Sequence, residues 1–555
     1  MLNSAIMKKL LICLSLFSLI LTACNSSGSA QDNDDNEAKS EGQKKISKRN
    51  YSINKSNSYS NLFFDSLKME SFIKENNLND SVSRRMRSFY NARNYQFAWF
   101  SSDGLTEQAL GFWNLHDYVT SHIKDTTLRD KALQKRMNAL MFEDDLSVSE
   151  NNASFIKTEL KLTEHFIMYI LNNYEKGYVK RREMERFIPF QKQNVLEVAD
   201  SLLNKKHSDN KYFEDVNRPY KKLKEQLGNY YTIAKQGGWP VVNVTKKSLK
   251  KGMSDPSIPS IKRLLSLTGD MPGTDTSIVF TDTLETGVKN FQARYGYTPD
   301  GIIGAQIIKE MKVPAIVRLE QIMMNLERMR WIPQDATGRL IIVNIPEFKL
   351  HMYDGKEKAF DMNVVVGKVG HNTMMFNGDL NQVVFSPYWN VPESIVEKEI
   401  LPSLASNPGY LESQNMEQVG MNGDLPDIRQ RPGPGNALGK VKFLFPNSFN
   451  IYFHDTPSKG LFEKDKRAFS HGCIRLAEPE KMANYVLRDQ PEWTPERINA
   501  AMNAGTEKFV KVKDPIPVVI TYYTAWVDEN GRLNFRDDIY AHDKKLAGKM
   551  FVKAF

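Results

Sequence analysis

The chain has 555 residues, with 75 lysines and arginines against 66 aspartates and glutamates, a formal net charge of +9. That length implies several domains rather than one core. So mild a basic excess, scattered along the chain, argues against nucleic acid as a partner, and three cysteines exclude a disulfide-stapled scaffold.

The N-terminus reads MLNSAIMKKLLICLSLFSLILTAC: Lys8 and Lys9 precede an apolar run from Leu10 to Leu21, the pattern of a signal peptide and too short for an ordinary membrane span. Leu21-Thr22-Ala23-Cys24 resembles the lipobox of bacterial lipoproteins. That resemblance implies removal of residues 1–23, acylation of Cys24 and attachment to a membrane; an ordinary signal peptide with a chance cysteine is the alternative. Cys473 is then the one free thiol left, which suggests chemistry in an oxidising compartment, or else a small buried hydrophobe. Residues 24–58 are polar and almost free of aliphatics, so they are read as a flexible tether.

Residues 59–250 read as a helical scaffold, as in LTEHFIMYILNNY (162–174), where apolar residues recur every three to four positions. FYNARNYQFAWF (89–100) and GGWPVV (237–242) are aromatic packing corners rather than active sites. In 255–314, Leu284, Val288 and Phe291 share a helical face, YGYTPDGIIG makes a turn, and Ile307, Ile308 and Met311 begin a second face. Phe291, Gln292, Asp300, Gly301 and Gly304 resemble the signature of the small three-helix peptidoglycan-binding module; a helical spacer with turn glycines is the alternative. A connecting helix occupies 315–337.

From 338 the period changes to two: LIIVNI, FKLHMY, DMNVVVG and QVVFSPYW predict strands, with Asp354-Gly355 as a tight hairpin. The expected fold is multidomain α+β, with a mostly β domain over 338–555 interrupted at 393–440. There IVEKEILPSL predicts a helix and RQRPGPGNALG a loop, making the insertion a candidate lid.

Cys473 lies in AFSHGCIRL. A thiol attacks carbonyl carbon as thiolate, and an imidazole is its usual activator. His471 precedes it by two residues; His454, in NIYFHDTPSKG, lies nineteen upstream. The whole segment YFHDTPSKGLFEKDKRAFSHGCIRL resembles the active-site motif of the L,D-transpeptidases (YkuD-type domain). The likeness extends to PYWNVPESIVEKEILP, RPGPGNALGKVKFLFPN and TYYTAWVDENGRLNFRDDIYAHD, and so to the large three-part subgroup with helical scaffold, peptidoglycan-binding module and lidded catalytic domain.

The resemblance implies roles by matched position. Cys473 is the nucleophile, His454 its base, and the Asp455 carbonyl orients the imidazole. Backbone N–H groups at Gly472 and Cys473 form the oxyanion site. Tyr452 and Trp389 shape the substrate cleft, and Ser470, His471 and Arg475 border it, His471 in a supporting role. Arg475 stands where many members have Asn, and Thr373-Met374 where many have Thr-Pro. The implied reaction is acyl transfer in peptidoglycan, without metal or cofactor: release of the terminal D-alanine of a tetrapeptide stem, then a crosslink between third-position diamino acids. Trimming by water or exchange with a D-amino acid would use the same site. The implied partners are stem peptides and glycan, the membrane through Cys24, and carbapenems as covalent inhibitors; the implied location is the periplasmic face of the outer membrane.

Three competitors remain. A papain-like peptidase places Cys before His, the reverse of this order. A zinc site could draw on His454, His471 and Cys473, but structural sites take four ligands. A non-catalytic wall-anchoring lipoprotein would keep binding without Cys473.

Overall fold

A computed structural model describes residues 46–122, 126–141, 146–174, 187–204, 218–331 and 338–552. The signal peptide, Cys24 and most of the expected tether lie outside the described residues. The described part of the tether is packed: Ile53 is fully buried, Asn50 N donates to Asn91 O at 2.8 Å, and Asn94 Nδ2 donates to Ile53 O. Ile53 finds a pocket there, and that difference moves the start of the folded body upstream to about residue 46.

The scaffold helices include Ser66–Glu75, Asp80–Ala92, Glu107–His122 and Ala153–Tyr174, each burying one apolar stripe. Asn79 caps the second through Val82 N, leaving its first turn satisfied. FYNARNYQFAWF forms a packing corner: Phe89, Tyr90, Phe97, Trp99 and Phe100 are fully buried, in front of the two-residue strands β1 (Phe100–Ser101) and β2 (Gly104–Leu105). Glu159 enters this aromatic core because it accepts Ala98 N at 2.6 Å, Trp99 N at 3.0 Å and the Tyr90 hydroxyl at 2.9 Å.

A second core joins the helices Val195–Leu203 and Arg218–Lys235 to the module helices Ile258–Leu267, Asp282–Arg294 and Ala305–Met311 and to the long helix Ala315–Met329. The module signature is structural: Gln292 Nε2 donates to Asp300 Oδ1 at 2.7 Å while Gln292 Oε1 accepts Gly301 N at 2.8 Å, closing the turn from inside.

The third body is a nine-stranded sheet of β3 (Arg339–Asn344), β4 (Lys349–Asp354), β5 (Glu357–Gly367), β6 (Asn377–Phe385), β10 (Val441–Leu444), β11 (Phe453–His454), β12 (Ala468–Ser470), β13 (Ile474–Leu476) and β14 (Lys508–Thr521). Their order is β12-β5-β13-β11-β10-β6-β14-β3-β4, and β4 pairs again with β5, so the sheet closes on itself. Alternation sends Val364, Val383, Phe443, Phe453, Ile474, Leu476 and Val518 inward, all fully buried.

Between β6 and β10 the insertion folds as its own unit. β7 (Trp389–Asn390), β8 (Met416–Asn422) and β9 (Leu425–Gln430) make a small sheet in the order β7-β9-β8, and Ile395, Val396, Ile400, Met416 and Ile428 fill its core. The expected helix is present, broken by a π-helical turn at Val396–Ile400; the hairpin was not expected. The chain end also differs from expectation. The hairpin of β15 (Ala525–Val527) and β16 (Leu533–Phe535) and the helix His542–Met550 pack on the second core rather than on the barrel, with Arg294 donating to Leu533 O at 2.6 Å.

Candidate active site

The site is built from the edges of β11 and β13, which run parallel with Phe453 opposite Ile474 and His454 opposite Arg475. Phe453, Ile474 and Leu476 take the barrel interior. Residues at the alternate positions, Tyr452, His454, Cys473 and Arg475, therefore share the outer face. On the other side of β11, Lys442 of β10 is the antiparallel partner of His454, so the imidazole stands in a row between a lysine and an arginine.

His454 is 4% exposed, and its Nδ1 lies 2.5 Å from the carbonyl oxygen of Asp455. A carbonyl can only accept, so the proton is on Nδ1 and Nε2 keeps its lone pair. Burial, and then the Arg475 cation, hold the imidazole down at about 3, so it rests neutral. The Asp455 side chain fixes that carbonyl: its Oδ1 accepts Thr456 N at 2.7 Å and Lys459 Nζ at 2.5 Å, and its Oδ2 accepts Lys440 N at 2.9 Å.

The Cys473 thiol keeps partial access to solvent although protein crowds it elsewhere. Burial raises it to about 11, opposed by the Tyr452 main chain and hydroxyl and by the charge of Arg475. No hydrogen bond joins it to His454 among the described residues; the thiol points to Asn450 O at 3.7 Å. Neighbouring strands carry both groups on one face, and the resting pair is a neutral thiol and a neutral imidazole with no hydrogen bond between them among the described residues.

Gly472 makes the turn that presents the thiol, at φ +112°, where a side chain would be strained. Ser470 lies beneath this turn, not beside the groove: it is 2% exposed, donates to Cys473 O at 2.6 Å and accepts Gly472 N at 3.2 Å. The Gly472 N–H is thus engaged, leaving Cys473 N–H, with no acceptor among the described residues, as the free donor for an oxyanion. Thr373, singled out only as a departure, is a support: it is buried, donates from Oγ1 to Gly472 O at 2.7 Å and accepts Gly367 N at 2.9 Å.

His471 faces the lid, its Nε2 lying 3.1 Å from Glu399 Oε1 and its ring 4.8 Å from that of His371. Trp389 belongs to the root of the lid, in register with Gln430 and packed on the lid core. His454, His471 and Cys473 form no metal-holding cluster. Asn450, Glu399 and Lys442 were not expected from the sequence; each is a common polar residue placed here only by strand register or lid folding.

The barrel thus carries a thiol and a carbonyl-oriented imidazole on adjoining parallel strands. Residues 338–520 match the L,D-transpeptidase catalytic domain (YkuD), and residues 84–227 match the Scaffold domain. The chain thus carries an L,D-transpeptidase catalytic domain behind a scaffold domain. Over 243 residues it is 32% identical to a Haemophilus influenzae protein described as "Putative L,D-transpeptidase", covering 41% of this chain and 49% of that protein. The chain spans about half the length of that relative. Among solved structures, an L,D-transpeptidase from Mycobacterium smegmatis is 13% identical over 33% of this chain and 58% of its own, at a TM-score of 0.19. L,D-transpeptidase 3 from Mycobacterium tuberculosis is 16% identical over 33% and 61%, at 0.18.

Proposed function

We propose that the protein is a peptidoglycan L,D-transpeptidase anchored to the cell envelope through Cys24, on the periplasmic face of the outer membrane. The observation that carries the activity is the β11–β13 register, which sets His454 and Cys473 on one outer face with the imidazole proton committed to Asp455 O.

In this reading the donor stem enters between barrel and lid, with the carbonyl of its third residue over Cys473. Because thiol and imidazole rest neutral, proton transfer accompanies attack. Sulfur bonds to the carbonyl carbon as its proton passes to His454 Nε2, and the oxyanion faces Cys473 N–H. Collapse breaks the C–N bond, and the same proton leaves with the amine of the terminal D-alanine. The side-chain amine of a second stem then attacks the thioester, giving its proton to His454 and restoring the thiol. The lid excludes water from the thioester and so favours amine over hydrolysis.

Incubation of the purified chain with disaccharide-tetrapeptide, read by mass spectrometry, tests the reading. Crosslinked dimer and released D-alanine are expected, both lost in Cys473→Ala; unchanged turnover in that variant sinks it, as does a carbapenem adduct on any residue other than Cys473. A Cys24→Ser variant is expected to lose membrane attachment; retained attachment removes the anchor.

A further inference from the structure

The free oxyanion donor, Cys473 N–H, belongs to the peptide unit whose other end is Gly472 O. Such a unit is planar and, away from proline, trans, so its carbonyl and its N–H point in opposite directions and one cannot turn without the other. Thr373, which is 2% exposed, donates from Oγ1 to Gly472 O at 2.7 Å. That bond therefore fixes, from the buried side, the direction in which Cys473 N–H points. A hydrogen bond to the carbonyl also polarises the amide and makes its N–H the stronger donor.

Thr373 is itself held by a residue from far along the chain. The Tyr540 hydroxyl accepts Thr373 N at 3.2 Å and donates to Gly367 O at 2.6 Å, while Gly367 N donates to Thr373 Oγ1 at 2.9 Å. One buried phenol thus bridges the two ends of the 368–372 loop, from the last residue of β5 to the hydroxyl beneath the nucleophile turn. Tyr540 lies beyond residues 338–520, between a hairpin and a helix that both pack on the second core, yet its own ring enters the barrel core. The Tyr522 hydroxyl accepts Tyr540 N at 2.8 Å and donates to Asp538 Oδ1 at 2.8 Å. Ala541, the next residue, sits at φ +60°, a conformation that a side chain disfavours. Both flanks hold the chain there through the long helix: Thr524 N donates to Asn325 Oδ1 at 3.0 Å, and Arg328 Nη1 donates to Asp543 Oδ1 at 2.6 Å.

We propose that Tyr540 is a positioning residue for the oxyanion donor: acting through Thr373, it sets the orientation of the Gly472–Cys473 peptide and with it the rate of acylation. This rests on the transpeptidase reading above and deepens it. The nucleophile turn of the barrel is then completed by a segment whose flanks are anchored in the second core, and the chemistry depends on that segment although no atom of it touches the sulfur or the base among the described residues.

The test uses the full chain and compares two reactions of the same sulfur. Acylation by disaccharide-tetrapeptide passes through an oxyanion; alkylation by iodoacetamide forms a sulfur–carbon bond as iodide leaves a methylene carbon, and passes through none. Both are followed by mass spectrometry. Thr373→Val is expected to slow acylation about 10- to 100-fold, part of what loss of an oxyanion donor costs. Tyr540→Phe, one hydrogen bond further off, is expected to slow it about 3- to 10-fold, with donor KM and the alkylation rate at fixed pH within about twofold of wild type. Thr373→Ser, which returns the hydroxyl, is expected to recover most of the loss. Tyr522→Phe, which releases Tyr540 N, is expected to show the same split more weakly and stands in where Tyr540→Phe does not fold. Unchanged acylation in these tyrosine variants overturns the assignment, as does an equal fall of acylation and alkylation, the result of a turn that is merely disordered. A wild-type enzyme that is alkylated but never acylated overturns the transpeptidase reading instead.

Discussion

His454 and Arg475 are direct partners across the parallel pair β11–β13, an imidazole held neutral beside an arginine that has no counter-ion among the described residues. Burial first and the arginine second keep the imidazole unprotonated, while burial raises the thiol and Tyr452 and then the arginine oppose that rise.

Thiol reactivity reports this balance. With the thiol raised to about 11, alkylation of free enzyme by iodoacetamide is expected to keep rising beyond pH 9. Arg475→Gln and Tyr452→Phe each remove a group that lowers the thiol, so each moves the profile to higher pH. A rate already on its plateau at pH 7 would mean that a thiolate–imidazolium pair exists at rest and that the neutral pair does not.

The orientation of His454 depends on a glycine at the end of the lid. At Gly439, φ is +61°, and an added Cβ would lie 2.4 Å from the Asp455 carboxylate. Gly439→Ala is expected to push that carboxylate off Lys440 N and to shift the carbonyl that holds Nδ1. The loss should fall on kcat, by tenfold or more, roughly the effect of misplacing a reacting group, with donor KM little changed. Equal kcat in steady-state assays would show that Asp455 does not position the base.

Cys473 and His454 could be singled out because they lie within one stretch and their residue types, three cysteines and nine histidines, are rare in the chain. What surrounds them could not. β11 has two residues and β13 three, too few to show a period, yet their register decides which side chains share the face. Thr373 reaches Gly472 from 99 residues away, and Glu399 reaches His471 only because the lid folds over it. The strand pattern after 515 was read correctly as β, but the departure of the 525–535 hairpin and the 542–550 helix from the barrel, with Tyr540 between them left in the barrel core, is a matter of tertiary packing that alternation cannot encode.

The lid has a single polar hold on the barrel beyond its two roots among the described residues, the contact of Glu399 with His471. Burial and the nearby cations Lys368 and Arg475, together with His371, lower His471, while Glu399 raises it. At neutral pH the contact is therefore a weak one between a neutral ring and a carboxylate. Acidification charges the ring and tightens it. Hydrogen exchange over 393–430 is expected to slow only as pH falls below the ordinary imidazole value of about 6.5, after correction for intrinsic rates, and Glu399→Gln is expected to abolish that slowing. An equal response in the variant would remove this contact as the lid's latch.

In the scaffold, His165 is held at about 4, first by burial and then by the Lys161 cation, with Asp130 opposing; His116 Nε2 lies 3.0 Å from its Nδ1. The folded value lies below the unfolded one of about 6.5. The stability this residue contributes is thus complete above pH 6.5 and lost as pH falls toward 4. In that window the unfolded chain takes a proton that the folded chain refuses, at about 1.4 kcal/mol per pH unit. Glu159, raised to about 7 by burial, has the opposite sign: its contribution is complete below about 4.5 and lost as pH rises through 7. The two partly cancel in the wild type, so the difference against His165→Gln isolates the histidine. Urea unfolding at pH 6.5 and pH 5 should show the variant gaining about 2 kcal/mol on the wild type between those values. A difference that does not change with pH would mean that His165 is protonated equally in both states.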